Sequence, residues 1–271
     1  MNCSGITNQY YRVNRLPHIW CAGCGHGTLT NTVVRAIDKL KLNKDEVVIV
    51  SGIGCSSRAP GYLDFNTLHT THGRALAFAT GIKLANPKLH VIVIMGDGDS
   101  SAIGGNHLIH AARRNIDITT IVFNNNIYGM TGGQFSPTTP YGDLATTAAY
   151  GNIDKPFDLC SLAQGAGATY VGRATAYHAL LMQKLIEKGI QNKGFSFIEG
   201  LSLCPTYYGR KNKKGNPFKM HSFFKEYCID KKLVDKDPEK GINKILIGEF
   251  YNNPQPEYIE SYQVIIDMLQ G

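Results

Sequence analysis

The sequence has one tryptophan in 271 residues, no internal repeat and no low-complexity linker. It has no apolar run of the roughly 18 to 20 residues that a membrane span needs. Its opening stretch, MNCSGITNQYYRVNR, lacks the apolar core of a signal peptide. These absences argue against a repeat array and a membrane-spanning helix, and they predict a cytoplasmic protein in a reducing compartment. There, seven cysteines point to metal binding or redox chemistry rather than to a disulfide framework. The formal charge is +7, and much of the Lys and Arg falls in the last third, as in YYGRKNKKGNPFK. Such a balance suits a solvated basic surface or the docking of an acidic protein. No aromatic-interleaved basic repeat and no zinc-finger spacing supports nucleic acid as a partner.

What is present is an alternation of helical and apolar segments. Helical spacing runs over 28–40 (TLTNTVVRAIDKL), 73–86 (stopped by Pro87), 100–115 (weakened by its Gly pair), 156–168 and 176–189. Apolar strands run over 46–55 (EVVIVSGIGC), 90–99, 117–126, 169–174 and 195–204. The pattern predicts an α/β fold with a mostly parallel, doubly wound sheet covered on both faces. Residues 1–210 form the α/β domain in this reading. Residues 211–271 form a mostly irregular C-terminal tail, packing on that domain or on a partner and ending in the helix PEYIESYQVIIDML. Right-handed crossovers place every strand's carboxyl end on one edge, where such sheets bind ligands. The segments 51–57, 96–99 and 124–134, and Cys204 with Pro205, all follow strands, which predicts a single site.

Two stretches carry chemistry. In HIWCAGCGHG, Cys21 and Cys24 sit in a Gly-rich loop before a helix. By spacing alone they could be metal ligands, a redox pair or incidental. In GDGD, Asp97 offers a hard anionic oxygen, and the later NNN at 124–126 offers neutral ones. A loop carbonyl would complete a set that suits magnesium. The glycines let backbone N–H groups approach a diphosphate, and a following helix would point its positive end at that anion. A lone GDG is ordinarily a tight turn. Here the Asn cluster lies one helix and one strand farther on, and so returns to the same sheet edge. GDG followed at this distance by NN resembles the thiamine diphosphate signature.

NNNIYGMTGGQFSPTTP, WCAGCGHG, SGIGCSSR, LHTTHGRALAFATGIK and SLCPT occur in the order found in beta subunits of 2-oxoacid:ferredoxin oxidoreductases. From about Leu16 to Lys214 the chain resembles that family, most of all its 2-oxoglutarate type. The resemblance implies the diphosphate-domain type of thiamine diphosphate-binding fold, with thiamine diphosphate, Mg2+ and one 4Fe–4S cluster as cofactors. Cys21, Cys24, Cys55 and Cys204 match the cluster ligands, four thiolates as such a cluster needs. Zinc is the alternative for four cysteines, although structural zinc more often uses two close pairs. Cys3, Cys160 and Cys228 match no motif and read as buried or incidental thiols. Asp97, Asn125 and the carbonyl of Ile127 match the magnesium ligands. Ile53, Gly54, Cys55 and Ser56 would line the thiamine. Gly98 and Asp99, with Gly129 and Met130, would hold the diphosphate. His72 matches a position close to the cofactor and is the candidate catalytic residue; capping or packing is its other reading. Arg74 could meet an anionic substrate or phosphate, or form a surface ion pair. Some relatives carry, where this chain has Gly132, a Lys assigned to the substrate.

The implied reaction is oxidative decarboxylation of a 2-oxoacid with coenzyme A to acyl-CoA and CO2, electrons passing through the cluster to ferredoxin. In thiamine enzymes a carboxylate from a separate pyrimidine-binding domain polarises the aminopyrimidine. This chain's length is used up by one sheet and a tail. A partner resembling the family's alpha subunit is therefore implied, as a heterodimer with the active site between subunits; further small subunits are compatible with the resemblance. The competing readings are the same chemistry on pyruvate or branched-chain 2-oxoacids, a non-oxidative thiamine decarboxylase or carboligase, and a zinc-stabilised binding module. The second needs no four thiolates, and the third leaves GDGD with NNN unexplained.

Overall fold

The computed structural model describes the backbone of residues 3–270 and the side chains of residues 5–270. From the N-terminus the elements are α1 (Cys3–Tyr10), α2 (His26–Leu40), β1 (Val47–Ser51), α3 (Ala59–Tyr62), β2 (Asn66–His69), α4 (Ala75–Ala85), β3 (His90–Gly96), α5 (Asp97–Ser101), α6 (Gly105–Arg113) and β4 (Thr119–Asn124). A small hairpin follows, of β5 (Ile127–Tyr128) and β6 (Gln134–Phe135). Then come α7 (Leu159–Gly165), β7 (Tyr170–Thr175), α8 (Ala179–Gln191), β8 (Ser196–Leu201), α9 (Pro217–Tyr227), β9 (Cys228–Asp230), α10 (Lys231–Lys236), β10 (Ile245–Asn252) and α11 (Tyr258–Gln270). Among the described residues no helix is long and apolar enough to cross a membrane.

The main sheet runs β2-β1-β3-β4-β8-β7-β10-β9 and is parallel except where β10 meets β7. Its continuous apolar strands follow from burial on both faces. Successive side chains point to opposite sides, so each strand feeds two cores. Ile49, Ile92, Ile94, Ile121 and Ile198 pack with Leu29, Val33 and Ile37 of α2 and Met182 and Ile186 of α8. Val50, Val93, Met95, Val122 and Phe197 pack on the other face with Leu76 and Ala79 of α4, Leu108 of α6 and Leu159 of α7.

The chain leaves β1 toward β2 on one side and leaves β3 toward β4 on the other. That reversal opens a crevice between the carboxyl ends of β1 and β3, the usual ligand position in such sheets. The segments 52–56 and 96–99 sit there.

Two expectations are corrected. The helix expected over 100–115 is broken into α5 and α6. At Gly104 between them, a Cβ would lie 2.2 Å from the Asp99 carbonyl oxygen. GDGD therefore forms most of the single turn α5 rather than a loop before a long helix, and the first N–H groups of that turn have no intrahelical partner. The second correction concerns the tail after residue 210. It is not irregular: β10 adds an antiparallel strand to β7, and β9 pairs with β10. Polar interruptions such as GEF in ILIGEFYN hid that half-exposed strand, whose burial is only partial.

Candidate active site

The residues expected to hold the thiamine or its metal line one cleft. Ile53, Gly54, Cys55 and Ser56 come from the segment after β1, His72 from the turn before α4, and Asp97, Gly98 and Asp99 from α5, directly after β3. Asn125, Ile127, Gly129 and Met130 follow β4.

Asp97 is buried, and its Oδ2 accepts hydrogen bonds from Ser136 Oγ at 2.5 Å and Thr138 Oγ1 at 2.8 Å. Burial pushes its carboxyl up to about 6, against those hydrogen bonds and the backbone N–H of Asn125, which favour the ionised form. A divalent ion there would favour the carboxylate further. Asn125 Oδ1 accepts from the Ile127 N–H at 3.2 Å, which shapes the turn after β4 and leaves a second lone pair for a cation. One carboxylate, one amide and one backbone carbonyl in one cleft fit magnesium. The diphosphate side fits as well. A Cβ on Gly98 would lie 2.2 Å from Tyr128 Cζ, so only glycine lets the loop pass beneath that ring. The buried Ser56 Oγ, which lines the cleft, has no partner among the described residues.

Asp99 is placed differently from the expectation. Its Oδ1 lies 2.5 Å from His72 Nδ1 and accepts from the N–H groups of Gly73 at 2.7 Å and Ile53 at 3.3 Å. Through Oδ1 the carboxylate ties two loops together; Oδ2 is buried without a partner, and the group on Asp99 that could donate to a diphosphate is its backbone N–H. His72 is therefore held by an acid rather than acting as a simple cap. Among the described residues Arg74 forms no ion pair and does not line the cleft; it donates to the Ile103 carbonyl at 3.0 Å.

The four matched cysteines line an adjoining cavity. Cys24 and Cys204 are buried, Cys55 is half-buried and Cys21 exposed. Trp20 Nε1–H donates to the Cys55 carbonyl at 2.7 Å, and Leu203 N–H donates to the Cys24 carbonyl at 2.9 Å. These bonds draw the three cysteine-bearing loops to one point. A Cβ at Gly129 would lie 3.4 Å from Cys55 Sγ and 3.5 Å from Cys204 Sγ. Burial, reinforced by the neighbouring sulfurs, pushes the Cys24 and Cys55 thiols up to about 11.

A lone tetrahedral zinc would hold its sulfurs roughly 3.8 Å apart, given zinc–sulfur bonds of about 2.3 Å. Among the described residues, Asp158, Cys160 and Glu199 form the one group of three such donors within 4.8 Å of one another. No three of the cage sulfurs all lie within 4.8 Å of one another. Cys160 is buried and Cys228 half-buried, both away from the cage; the side chain of Cys3 lies outside the described residues.

Sequence reasoning missed Trp20, Tyr128, Ser136 and Thr138 as site-building residues. The dense hydroxyl run SPTT was the available signal for the last two.

Residues 52–200 match the family described as thiamine pyrophosphate enzyme, C-terminal TPP binding domain. The 2-oxoglutarate synthase subunit KorB of Methanocaldococcus jannaschii is 55% identical over 264 residues, covering 97% of this chain and 98% of that one. The KorB subunit of Methanothermobacter marburgensis is 54% identical, with 97% and 93% covered. The 2-oxoacid:ferredoxin oxidoreductase subunit beta of Saccharolobus solfataricus is 40% identical, with 90% and 84% covered. A solved 2-oxoglutarate:ferredoxin oxidoreductase from Magnetococcus marinus, with 2-oxoglutarate, coenzyme A and succinyl-CoA bound, superposes with a TM-score of 0.87 at 33% identity, covering 98% of this chain and 91% of the other. With the thiamine pyrophosphate-binding domain built around the β1–β3 crevice and this similarity along nearly its whole length, the chain belongs to the beta subunits of the 2-oxoacid:ferredoxin oxidoreductase family.

Proposed function

We propose that the chain is the cofactor-binding subunit of a 2-oxoglutarate:ferredoxin oxidoreductase. The enzyme converts 2-oxoglutarate and coenzyme A to succinyl-CoA and CO2, with electrons leaving through a 4Fe–4S cluster to ferredoxin. One observation carries this reading. Cys55, Asn125, Gly129 and Met130 line both the oxygen-ligand cleft and the cysteine cage, so the two share a wall. A non-oxidative thiamine enzyme has no use for that adjacency.

Thiamine diphosphate and its magnesium would supply the carbon nucleophile and electron sink, and the cluster a one-electron outlet. Asp97, Asn125 and the Ile127 carbonyl would hold the ion. The N–H groups of Gly98 and Asp99 would meet the diphosphate, while Ile53, Gly54 and Ser56 wall the ring. Cys21, Cys24, Cys55 and Cys204 would ligate the cluster. Asp99 holds the Nδ1 side of His72, leaving Nε2 as the ring atom free to exchange a proton.

The partner follows from what the cleft's acids already do. Asp97 is held by Ser136 and Thr138 and assigned to the magnesium, and Asp99 Oδ1 is engaged by His72 and two loops while its Oδ2 is buried. The carboxylate that polarises the aminopyrimidine then comes from an alpha subunit carrying the pyrimidine-binding domain. Ile53, Ile103 and Met130, exposed by 37%, 48% and 46%, form an apolar rim for it to cover. Residues 1–210 carry the cofactor groups in this reading. The segment 211–271 braces them, with His221 Nε2 lying 3.0 Å from the Gly23 carbonyl beside the cage. From Cys204 to Lys225 there are six basic residues and no acidic one, which suits an acidic ferredoxin. A reducing cytoplasm, read from the free thiols, suits the cluster. Gly132 has φ +113°, where a Lys would be strained, so the basic group for the distal carboxylate of 2-oxoglutarate comes from elsewhere in the complex.

The test is a substrate panel on the anaerobically purified two-subunit complex, with coenzyme A and a low-potential dye. 2-Oxoglutarate should give the highest kcat/KM. A preference for pyruvate would overturn the substrate, and dye reduction independent of coenzyme A would overturn the reaction.

A further inference from the structure

Among the described residues four acids are buried, Asp97, Asp99, Glu199 and Glu257, and Glu199 alone lies within a strand. It sits in the middle of the sheet, opposite Val122 of β4 and Arg173 of β7. Arg173 Nε donates to Glu199 Oε2 at 2.6 Å, and the same guanidinium pairs with Asp158. A buried ion pair contributes little net stability on average, because desolvating both charges costs about as much as their attraction returns. Its place here is explained better by what the second carboxylate oxygen holds.

Glu199 Oε1 accepts from Asn124 Nδ2 at 2.7 Å. A carboxylate only accepts, so this bond fixes which way the buried Asn124 amide faces. Its Oδ1 is thereby turned toward the cofactor loop, where it accepts from the Asn126 N–H at 2.9 Å and meets the Thr138 hydroxyl at 3.0 Å. That hydroxyl has one proton, shared between Asn124 Oδ1 and Asp97 Oδ2, the latter 2.8 Å away. Asn125, between Asn124 and the Asn126 N–H that its amide holds, and Asp97, which shares the Thr138 hydroxyl, are the side chains assigned above to magnesium.

We infer that Glu199, locked by Arg173, is a positioning residue for the magnesium site, acting through the orientation of the Asn124 amide. The inference rests on the placement of magnesium at Asp97 and Asn125. Glutamine at 199 has one acceptor oxygen where glutamate has two. If it faces Arg173 with that oxygen, its NH2 meets the NH2 of Asn124. The Asn124 amide must then turn over, and the Asn126 N–H loses its acceptor. Removing the donor demand of Arg173 at the same time frees the glutamine oxygen for Asn124 and restores the orientation.

The experiment measures Mg2+-dependent rebinding of thiamine diphosphate by calorimetry, on the full complex stripped of cofactor with a chelator. Loss of a positioning partner typically weakens metal affinity by about 10- to 100-fold. Glu199→Gln should raise the Mg2+ concentration required by that factor, and E199Q/R173Q should bring it back to near the wild-type value. Wild-type Mg2+ affinity in E199Q, or an equal loss in both variants, would overturn the inference. If E199Q does not fold, two charge-neutral pairs carry the test. E199Q/R173Q keeps an acceptor for Asn124 and should bind Mg2+ like wild type. E199L/R173L keeps none and should bind about tenfold more weakly or worse; equal affinities would overturn the inference. Asp97→Ala in the same assay separates the two levels. If it binds normally, the magnesium placement itself fails; if it loses Mg2+ while E199Q does not, only the relay fails.

Discussion

Asp99 and His72, 27 residues apart in sequence, meet at 2.5 Å across the cleft, and the same carboxylate oxygen holds the backbone of Gly73 and Ile53. One buried acid thus fixes both the candidate catalytic imidazole and the loop expected to wall the thiamine ring. His72→Ala should lower turnover at least about tenfold, within the range of a lost acid–base group, with thiamine and iron contents unchanged. Wild-type turnover in that variant would remove His72 from the chemistry.

Asp99→Ala should be worse than His72→Ala, because it strands the buried Gly73 N–H and frees the part-buried Ile53 N–H. The expected cost is about 1–3 kcal/mol of stability for each buried donor left without a partner, together with weaker thiamine diphosphate binding. Denaturant unfolding of the purified variant, beside cofactor titration, checks both halves. Unchanged stability would mean that the two loops are held by something else.

The cysteine cage predicts about four irons per chain after anaerobic purification. Cys204→Ala should lose the cluster and Cys228→Ala should keep it, read by iron and sulfide analysis. Zinc at one equivalent without iron would contradict the cluster assignment.

In cluster-free protein the cage thiols should differ in reactivity. The thiolate is the nucleophile, and burial holds Cys24 and Cys55 protonated until pH approaches about 11. Iodoacetamide near pH 8 should therefore label the exposed Cys21 first, and labelling of Cys24 and Cys55 should rise steeply only in strong base. Peptide mass analysis after timed quenching reads the order; equal labelling at pH 8 would show that the two sites are solvated.

Much of this arrangement was legible in the sequence because it depends on local signals. GDGD, NNN, Cys55 and Cys204 each follow an apolar strand, and a parallel sheet sends every such segment to one edge; Cys21 and Cys24 instead precede α2. What was not legible depends on atoms meeting across long separations. The role of Asp99 needed the positions of Gly73 and Ile53, and the role of Glu199 needed the register of three strands. The tail was misread because β10 is a half-exposed strand with a glycine and a glutamate inside it, and so lacks the apolar run of the buried strands.

In the proposed two-subunit enzyme this chain holds the cofactors but not the whole active site. Anaerobic CO2 release from 2-oxoglutarate, compared between the isolated chain and the two-subunit complex, tests it most directly. Both samples should be loaded with thiamine diphosphate, Mg2+ and iron, and supplied with coenzyme A and ferredoxin. The account predicts turnover by the complex and none by the isolated chain, because the aminopyrimidine then lacks its carboxylate and the open cleft admits water. Full turnover by the isolated chain would contradict it.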